Sequence, residues 1–254
     1  MIDIHCHILP GVDDGAATIE DSLEMARAAV KEGITTIIAT PHHKNNQYQN
    51  PKASILKHVT ELNSALDQEQ IPLTIMPGQE VHIYGEVLED YHKKEILTLA
   101  EGNYLFIEFP SSSVPRYAER LFYEIQTEGL MPVIVHPERN KELQENPKLL
   151  YEFVKNGVLT QVTASSLTGY FGKNIMKFSE QLVEANLTHF IASDAHNTHN
   201  RSFKMKEAYR FLEESFGMDY VYLFRENAEL LLEKKNIIKE IPEMIKRKKI
   251  LGIF

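Results

Sequence analysis

The sequence predicts an α/β fold, a distorted seven-stranded (β/α) barrel of TIM-like form. Three observations predict it. Apolar, β-branched runs alternate with amphipathic stretches at intervals of roughly 30 residues, the pattern of repeated βα units and a mainly parallel sheet. Residues able to bind metal recur at the C-terminal ends of these runs, where the βα loops of a barrel converge. The first and last runs both carry such residues, and an open sheet would hold them too far apart to share an ion.

The strand runs are IDIHCH from Ile2, TTIIATPH from Thr35, LTIMPGQEV from Leu73, YLFIEF from Tyr104, PVIVHPE from Pro132, VLTQVTA from Val158 and THFIASDAH from Thr188. The clearest helix is TIEDSLEMARAAVKEG, in which Ile19, Leu23, Ala26 and Val30 fall at spacings of three and four and Gly33 closes the end. Further helices are expected near Pro51, Pro115, Pro147, Lys173 and Arg201, several with proline in the first turn. The whole chain, 1–254, reads as one domain, with a final helical layer at about 218–254 containing ENAELLLEKK.

Composition narrows the function. The 254 residues are 43% hydrophobic, enough for a sizeable core, and the net charge of −9 argues against general nucleic-acid binding. The single cysteine, Cys6, excludes an internal disulfide and fits a reducing cytoplasm. Met1 leads directly into the first strand, so no leader is expected. No run approaches the roughly 18 apolar residues of a membrane span. A cytoplasmic protein, not an integral membrane one, is expected. The basic KRKK at Lys246 to Lys249 reads as a solvated helix end.

The candidate metal ligands are His5, His7, Asp14, His42, Glu80, Glu108, His136, Asp194 and His196. Alternate residues of a strand face one side, so His5 and His7 point together while Cys6 turns into the strand–helix layer as an inert packed thiol. The same spacing relates Asp194 to His196. In PGVDDGA both Asp13 and Asp14 are candidates, and either could instead cap the helix near Thr18. Glu108 lies among apolar neighbours, where an unpaired carboxylate is costly, so a cation or charge partner is expected. His82 shares a face with Glu80 and is a reserve ligand. His58, His92, His189 and His199 are left out.

So many imidazole and carboxylate donors suit two or three divalent cations, with Glu80 or another carboxylate bridging. The lack of thiolate donors argues against a structural cysteine zinc site. Manganese, iron, zinc or cobalt all fit nitrogen and oxygen donors. Ions roughly 3.5–4 Å apart would hold a hydroxide nucleophile and grip phosphoryl oxygens.

The motifs HCHILPGVDDGA, ATPHH, PGQEV, IEFP, VIVHPER and SDAH resemble the PHP (polymerase and histidinol phosphatase) superfamily over essentially the whole chain. More narrowly they resemble the bacterial manganese-dependent protein-tyrosine phosphatases encoded with capsule and exopolysaccharide genes. The resemblance implies a trinuclear site and Mn²⁺. It implies that His5, His7, Glu80 and Asp194 hold one ion, Glu80, Glu108 and His136 a second, and Asp14, His42 and His196 a third. It prefers Asp14 over Asp13, and it matches Arg139 and Arg201 to two phosphate-binding arginines. The implied substrate is phosphotyrosine on the tail of a membrane-associated bacterial tyrosine kinase. The resemblance leaves a rival, a histidinol-phosphate phosphatase or other small-molecule phosphoesterase on the same metals. A thiol-based phosphatase is excluded, because it needs an arginine six positions after its cysteine and Val12 stands there. No general acid is assigned.

Overall fold

A computed structural model describes residues 1–245. The chain runs β1 (Ile2–Cys6), α1 (Ile19–Lys31), β2 (Thr36–Ala39), β3 (His42–His43), α2 (Lys52–Gln68), β4 (Thr74–Pro77), β5 (Glu80–His82) and α3 (Val87–His92). It continues through β6 (Tyr104–Glu108), α4 (Ala118–Thr127), β7 (Met131–Val135), α5 (Lys141–Glu145), α6 (Pro147–Lys155), β8 (Leu159–Thr163) and α7 (Ala164–Leu167). The last elements are α8 (Lys173–Glu184), β9 (Phe190–Ala192), α9 (Met205–Phe216) and α10 (Met218–Leu232).

Every strand pairing is parallel, in two sheets ordered β1-β2-β4 and β3-β5-β6-β7-β8-β9. Each expected strand run contains strand, but the second and third are interrupted. At the first interruption Thr40 turns to β1, its N–H donating to the Cys6 carbonyl and its hydroxyl accepting from the Cys6 N–H. Pro41 follows and has no N–H to give a ladder. At the second, Gly78 lies so close to Ile38 that a Cβ would sit 2.6 Å from the Ile38 methyl. Past the last strand, Cys6 bridges Ala195 in parallel, with His7 N–H donating to the Ala195 carbonyl and Asp194 N–H to the His5 carbonyl. The first strand therefore lies beside the last.

Alternation along the strands sorts two apolar clusters. Cys6, Ile37, Ala39, Leu105, Ile107, Ile134, Val162 and Ile191 pack outward against helix residues such as Met25, Leu62, Phe122 and Leu182. Ile38, Tyr104, Phe106, Val133, Leu159 and Phe190 form a second cluster on the opposite face of the strands. Each such buried side chain contributes about 1.5–3 kcal/mol. β1 departs from strict alternation. Its register shifts between Asp3 and Cys6, and consecutive Ile4 and His5 both border the inner cluster, the His5 ring 5.1 Å from that of Phe106.

Helix α1 starts at Thr18 with a reciprocal capping box to Asp21, as its sequence foretells. Its buried stripe is Ser22, Met25, Ala26 and Ala29, so it is rotated from the expected one, and Ile19, Leu23 and Val30 pack at the margins. The helices expected at Pro115 and Arg201 begin later, at Ala118 and Met205. The expected helical layer over 218–254 is helical only through Leu232 among the described residues. Lys234 then takes a left-handed φ of 59°, and the chain to Ile245 runs without helix. Its backbone is satisfied instead by side chains, Asn227 bonding both N–H and carbonyl of Ile238 and Asn186 bonding the Ile241 carbonyl. This segment covers the strand starts, where the Tyr104 hydroxyl donates to the Lys235 carbonyl. Lys246 to Lys249 lie outside the described residues.

Candidate metal centre

Eight of the nine candidate ligands lie within, at or just beyond strands, His42 and Glu80 opening β3 and β5, while Asp14 lies in the loop between β1 and α1; the structure brings their donor atoms together. His5 Nε2 lies 3.3 Å from His7 Nε2, 3.3 Å from Glu80 Oε2 and 3.5 Å from Asp194 Oδ1. His7 Nε2 is 3.2 Å from the same Glu80 oxygen and 3.3 Å from the same Asp194 oxygen. His42 spans two neighbours, Nδ1 at 2.9 Å from Glu80 Oε2 and Nε2 at 3.4 Å from Asp14 Oδ1. His196 Nε2 also meets Asp14 Oδ1, at 3.3 Å, and His136 Nε2 meets Glu80 Oε1 at 2.7 Å.

Three groups have donor atoms mutually within 4.8 Å: His7, Asp14, His42 and His196; His5, His7 and Glu80; and His42, Glu80 and Glu108. They overlap at His7, His42 and Glu80, as a polynuclear site would require. The grouping differs in detail from the implied sets: His42 joins Glu80 and Glu108 where His136 was expected, and His7 joins the Asp14 group. Glu108 is less enclosed than its apolar neighbours suggested. Its side chain is 20% exposed and meets His82 Nδ1 at 3.2 Å, with His42 at 3.8 Å. His82 is therefore the nearest polar neighbour of Glu108 among these contacts.

The donor set fits cations. Buried His42 Nδ1, Glu80 Oε2 and His196 Nε2 make no well-directed hydrogen bond, although His42 Nδ1 and Glu80 Oε2 lie 2.9 Å apart and such atoms are normally satisfied. Without ions the donors titrate against one another. Burial opposes the charge on Glu80, but His42 and His5 hold its carboxyl well below the usual range. Burial likewise opposes ionisation of Asp194, and the Arg139 guanidinium followed by His5 keeps it ionised. His42 is driven up to about 10 by Glu80 and Asp14 against the effect of burial. His196, stacked 3.7 Å from His7, is lowered to about 4 by burial and by the His7 charge. Cations bound within these groups would give the imidazole and carboxylate atoms partners that the neighbouring side chains supply poorly.

Asp13, weighed above as an alternative ligand, and residues not singled out in the sequence hold the ligands in place. Asp13 Oδ2 is 2.7 Å from His7 Nδ1 and accepts from His42 N–H, while Oδ1 accepts from Gly15 N–H. Asp13 and Asp14 thus separate: Asp14 faces the imidazoles and Asp13 orients one of them. Gln161 Oε1 is 2.8 Å from His5 Nδ1. Buried Asp3 ties β1 to the last strand end, accepting from Ser193 N–H at 2.9 Å and from the Ser193 hydroxyl. A polar residue inside an apolar strand was the available signal for Asp3 and Gln161.

Arg139 and Arg201 come to the same carboxylate oxygen, Asp194 Oδ2, at 2.7 and 3.4 Å. Arg201 also reaches Asp14 at 3.2 Å. Both line a cavity of about 400 Å³ with His42, Glu108, His136 and Phe171. The Arg139 turn is fastened by buried Glu138, whose Oε1 accepts from Thr163 N–H and the Ser166 hydroxyl. Cys6 stays out of this site. It is fully buried in the outer layer, and burial pushes its thiol pKa well up.

A parallel α/β fold with imidazole and carboxylate donors gathered at its strand ends, beneath two guanidinium groups, defines the class of metal-assisted hydrolases. The chain belongs to the CpsB/CapC family of capsular polysaccharide synthesis, whose profile matches residues 1–233. It is 54% identical to the tyrosine-protein phosphatase YwqE of Bacillus subtilis, over the full length of both chains. It is 30% identical to the tyrosine-protein phosphatase CpsB of Streptococcus agalactiae NEM316, over 93% of this chain and 100% of the relative. A crystal structure from work on YwqE and Streptococcus pneumoniae CpsB, described as unique metal-dependent tyrosine phosphatases, superposes with a TM-score of 0.95. That match has 54% identity and covers 97% of this chain and 100% of the other. The organophosphorus hydrolase of Deinococcus radiodurans shares the fold alone, at a TM-score of 0.54 and 15% identity over 90% and 91% of the two chains.

Proposed function

We propose that the chain is a metal-dependent protein-tyrosine phosphatase of the capsule-associated type, hydrolysing phosphotyrosine in protein substrates. One observation carries the proposal: imidazole and carboxylate groups crowd together with few well-directed hydrogen bonds among them, and several of them line a cavity whose wall also holds two arginines. Supporting it, named phosphatases match 100% and 93% of the chain.

The nine ligands would hold two or three divalent ions, with Mn²⁺ first among Mn²⁺, Fe, Zn²⁺ and Co²⁺. Such ions supply Lewis-acid polarisation of the phosphoryl group and a lowered pKa for an attacking water. Arg139 and Arg201 would grip nonbridging phosphoryl oxygens through their planar forks, while Asp194 fixes one arm of each. Asp13 and Gln161 hold His7 and His5 in the orientation that turns both Nε2 atoms inward. Tyrosine, with a pKa of about 10, leaves with less need of protonation than an alkoxide, and no side chain is assigned as general acid.

The same reading takes the strands as one distorted seven-stranded (β/α) barrel, supported by the Cys6–Ala195 bridge between first and last strands. It takes 1–254 as a single PHP-type domain. Among the described residues no helix is long and apolar enough to cross a membrane. A cytoplasmic location suits the one buried thiol, and the proposed substrate is the phosphotyrosine tail of a membrane-associated bacterial kinase.

The test is turnover of a phosphotyrosine peptide beside histidinol phosphate, using chelated protein refilled with Mn²⁺. Peptide hydrolysis that returns with metal is expected. Preference for histidinol phosphate would keep the metal centre and replace the substrate.

A further inference from the structure

Phe171 does not belong to the core. It is absent from both apolar clusters, whereas Phe109, the other aromatic of the cavity wall, is 5% exposed and packs on Phe122 and Phe153. Phe171 is half-buried at the cavity edge, on a loop between Gly169 and Gly172, whose φ values of 79° and 94° suit glycine. Its ring lies 5.5 Å from the Arg139 guanidinium carbon and meets Tyr170 edge-on at 5.5 Å, with Tyr170 itself 50% exposed. Its ring contacts are thus with a cavity-wall arginine and an exposed tyrosine, and not with the core.

The cavity is polarised. Its ionisable members, His42, Glu108, His136, Arg139, Asp194 and Arg201, would surround a phosphoryl group bound there. The rest of the lining is uncharged (Phe109, Ser111, Val135, Pro137, Asn140 and Phe171), and of these Phe171 carries an aromatic face 5.5 Å from the arginine that would grip the phosphate. An aromatic ring attached to that phosphate would meet an aromatic face, whereas the short alkyl stem of a phosphoserine would not fill the contact. Aromatic pairs gain from offset or edge-on contact beyond the area they bury.

We propose that Phe171 is the specificity-determining residue that selects aryl over alkyl phosphates, by packing against the substrate ring while Arg139 holds its phosphate. The inference rests on the phosphatase reading, because it presumes that the phosphoryl group docks between Arg139 and the metal ligands. The competing account is that Phe171 merely steadies Arg139 by stacking.

Binding separates the two accounts without requiring turnover. Phenylphosphonate and methylphosphonate are titrated calorimetrically into Mn²⁺-loaded wild type, Phe171→Leu and Phe171→Tyr. Leucine keeps apolar bulk, so folding is preserved, but it removes the aromatic face. The ratio of phenyl to methyl affinity should fall about tenfold in Phe171→Leu and recover in Phe171→Tyr. Equal weakening of both ligands would mean that Phe171 acts only through Arg139 and would overturn the proposal, as would an unchanged ratio. In parallel, phosphotyrosine-peptide turnover by wild type tests the underlying reading. Selective phenylphosphonate binding without turnover would overturn that reading alone.

Discussion

Asp13 and Asp14 are adjacent in the chain and perform different work. Asp14 presents an oxygen to His42 and His196, while Asp13 accepts from the far side of the His7 ring and fixes which nitrogen faces inward. A carboxylate behind a ligating imidazole raises its basicity and pins its orientation. Asp13→Asn keeps the shape and removes the charge, so metal affinity should drop by roughly tenfold or more. Chelator competition measures this, and an unchanged affinity would remove Asp13 from the role. Cys6 gives the opposite expectation. Its thiol is buried with its pKa raised, 3.5 Å from the Ala195 carbonyl, so Cys6→Ser should keep most peptide turnover. Loss of turnover in a folded, metal-loaded Cys6→Ser protein would contradict a metal mechanism. At this scale, residue type and strand position pointed to eight of the nine donors, and Asp14 was preferred to Asp13 only by the family resemblance. The supporting roles of Asp13, Gln161 and Glu138 were not legible, because they depend on partners distant in sequence or across a turn.

Turns and strand starts carry the next constraints. Gly15 packs against β1 so closely that a Cβ would lie 2.0 Å from the His7 carbonyl oxygen. That contact is with backbone and cannot be relieved by rotating a side chain. Gly15→Ala should therefore cost about 1–3 kcal/mol by overpacking, lowering Tm by several degrees and displacing Asp13 and Asp14 with their loop. A thermal melt and a metal titration that both match wild type would refute it. At the start of β9, His189 is buried with its pKa lowered to about 3 by burial, and its Nδ1 accepts from Thr160 N–H. The unfolded chain takes up this proton near pH 6.5 and the folded chain does not, so stability falls as pH drops from about 6.5 toward 3. His189→Asn retains an acceptor but does not titrate, and its urea-unfolding free energy should lose this component of the slope. Asp3, raised to about 6 by burial, acts with the opposite sign between about 4 and 6. The difference between wild type and variant is therefore the readout, and identical slopes would refute the assignment. Strand runs and the α1 cap were legible because alternation and capping are local. The β1 register shift, the interruptions at Thr40 and Gly78, and the loss of helix after Leu232 were not. Each is decided by a neighbour from another part of the chain: Cys6 for Thr40, Ile38 for Gly78, and Asn227 for the segment after the last helix.

Over the whole molecule, the donor cluster connects elements from both ends of the sequence. His7 follows the first strand, His196 follows the last, and their rings stack at 3.7 Å. Between them β3 contributes His42, β5 Glu80, β6 Glu108, and the turn after β7 His136. Ions held by these side chains would cross-link both sheets at one end, while α10 and the segment after it cover the other. Such a site exists only in the folded chain, so metal binding adds to folding stability by linkage. One site at a hundredfold excess over its Kd contributes about 2.7 kcal/mol. For a chain of this size each kcal/mol moves Tm by about 2–4 °C, so removing a single such ion should lower Tm by roughly 5–10 °C. Chelated and Mn²⁺-refilled protein, melted side by side at equal pH and ionic strength, provides the comparison. The protection should extend to strand-end amides on both sheets, including His7 and His196, when hydrogen exchange is followed with and without Mn²⁺. Coincident melts would show that protons and hydrogen bonds alone hold the cluster together. A Tm shift with protection confined to one sheet would show that the ions bind only part of the ligand set, which would contradict a centre joining first strand to last.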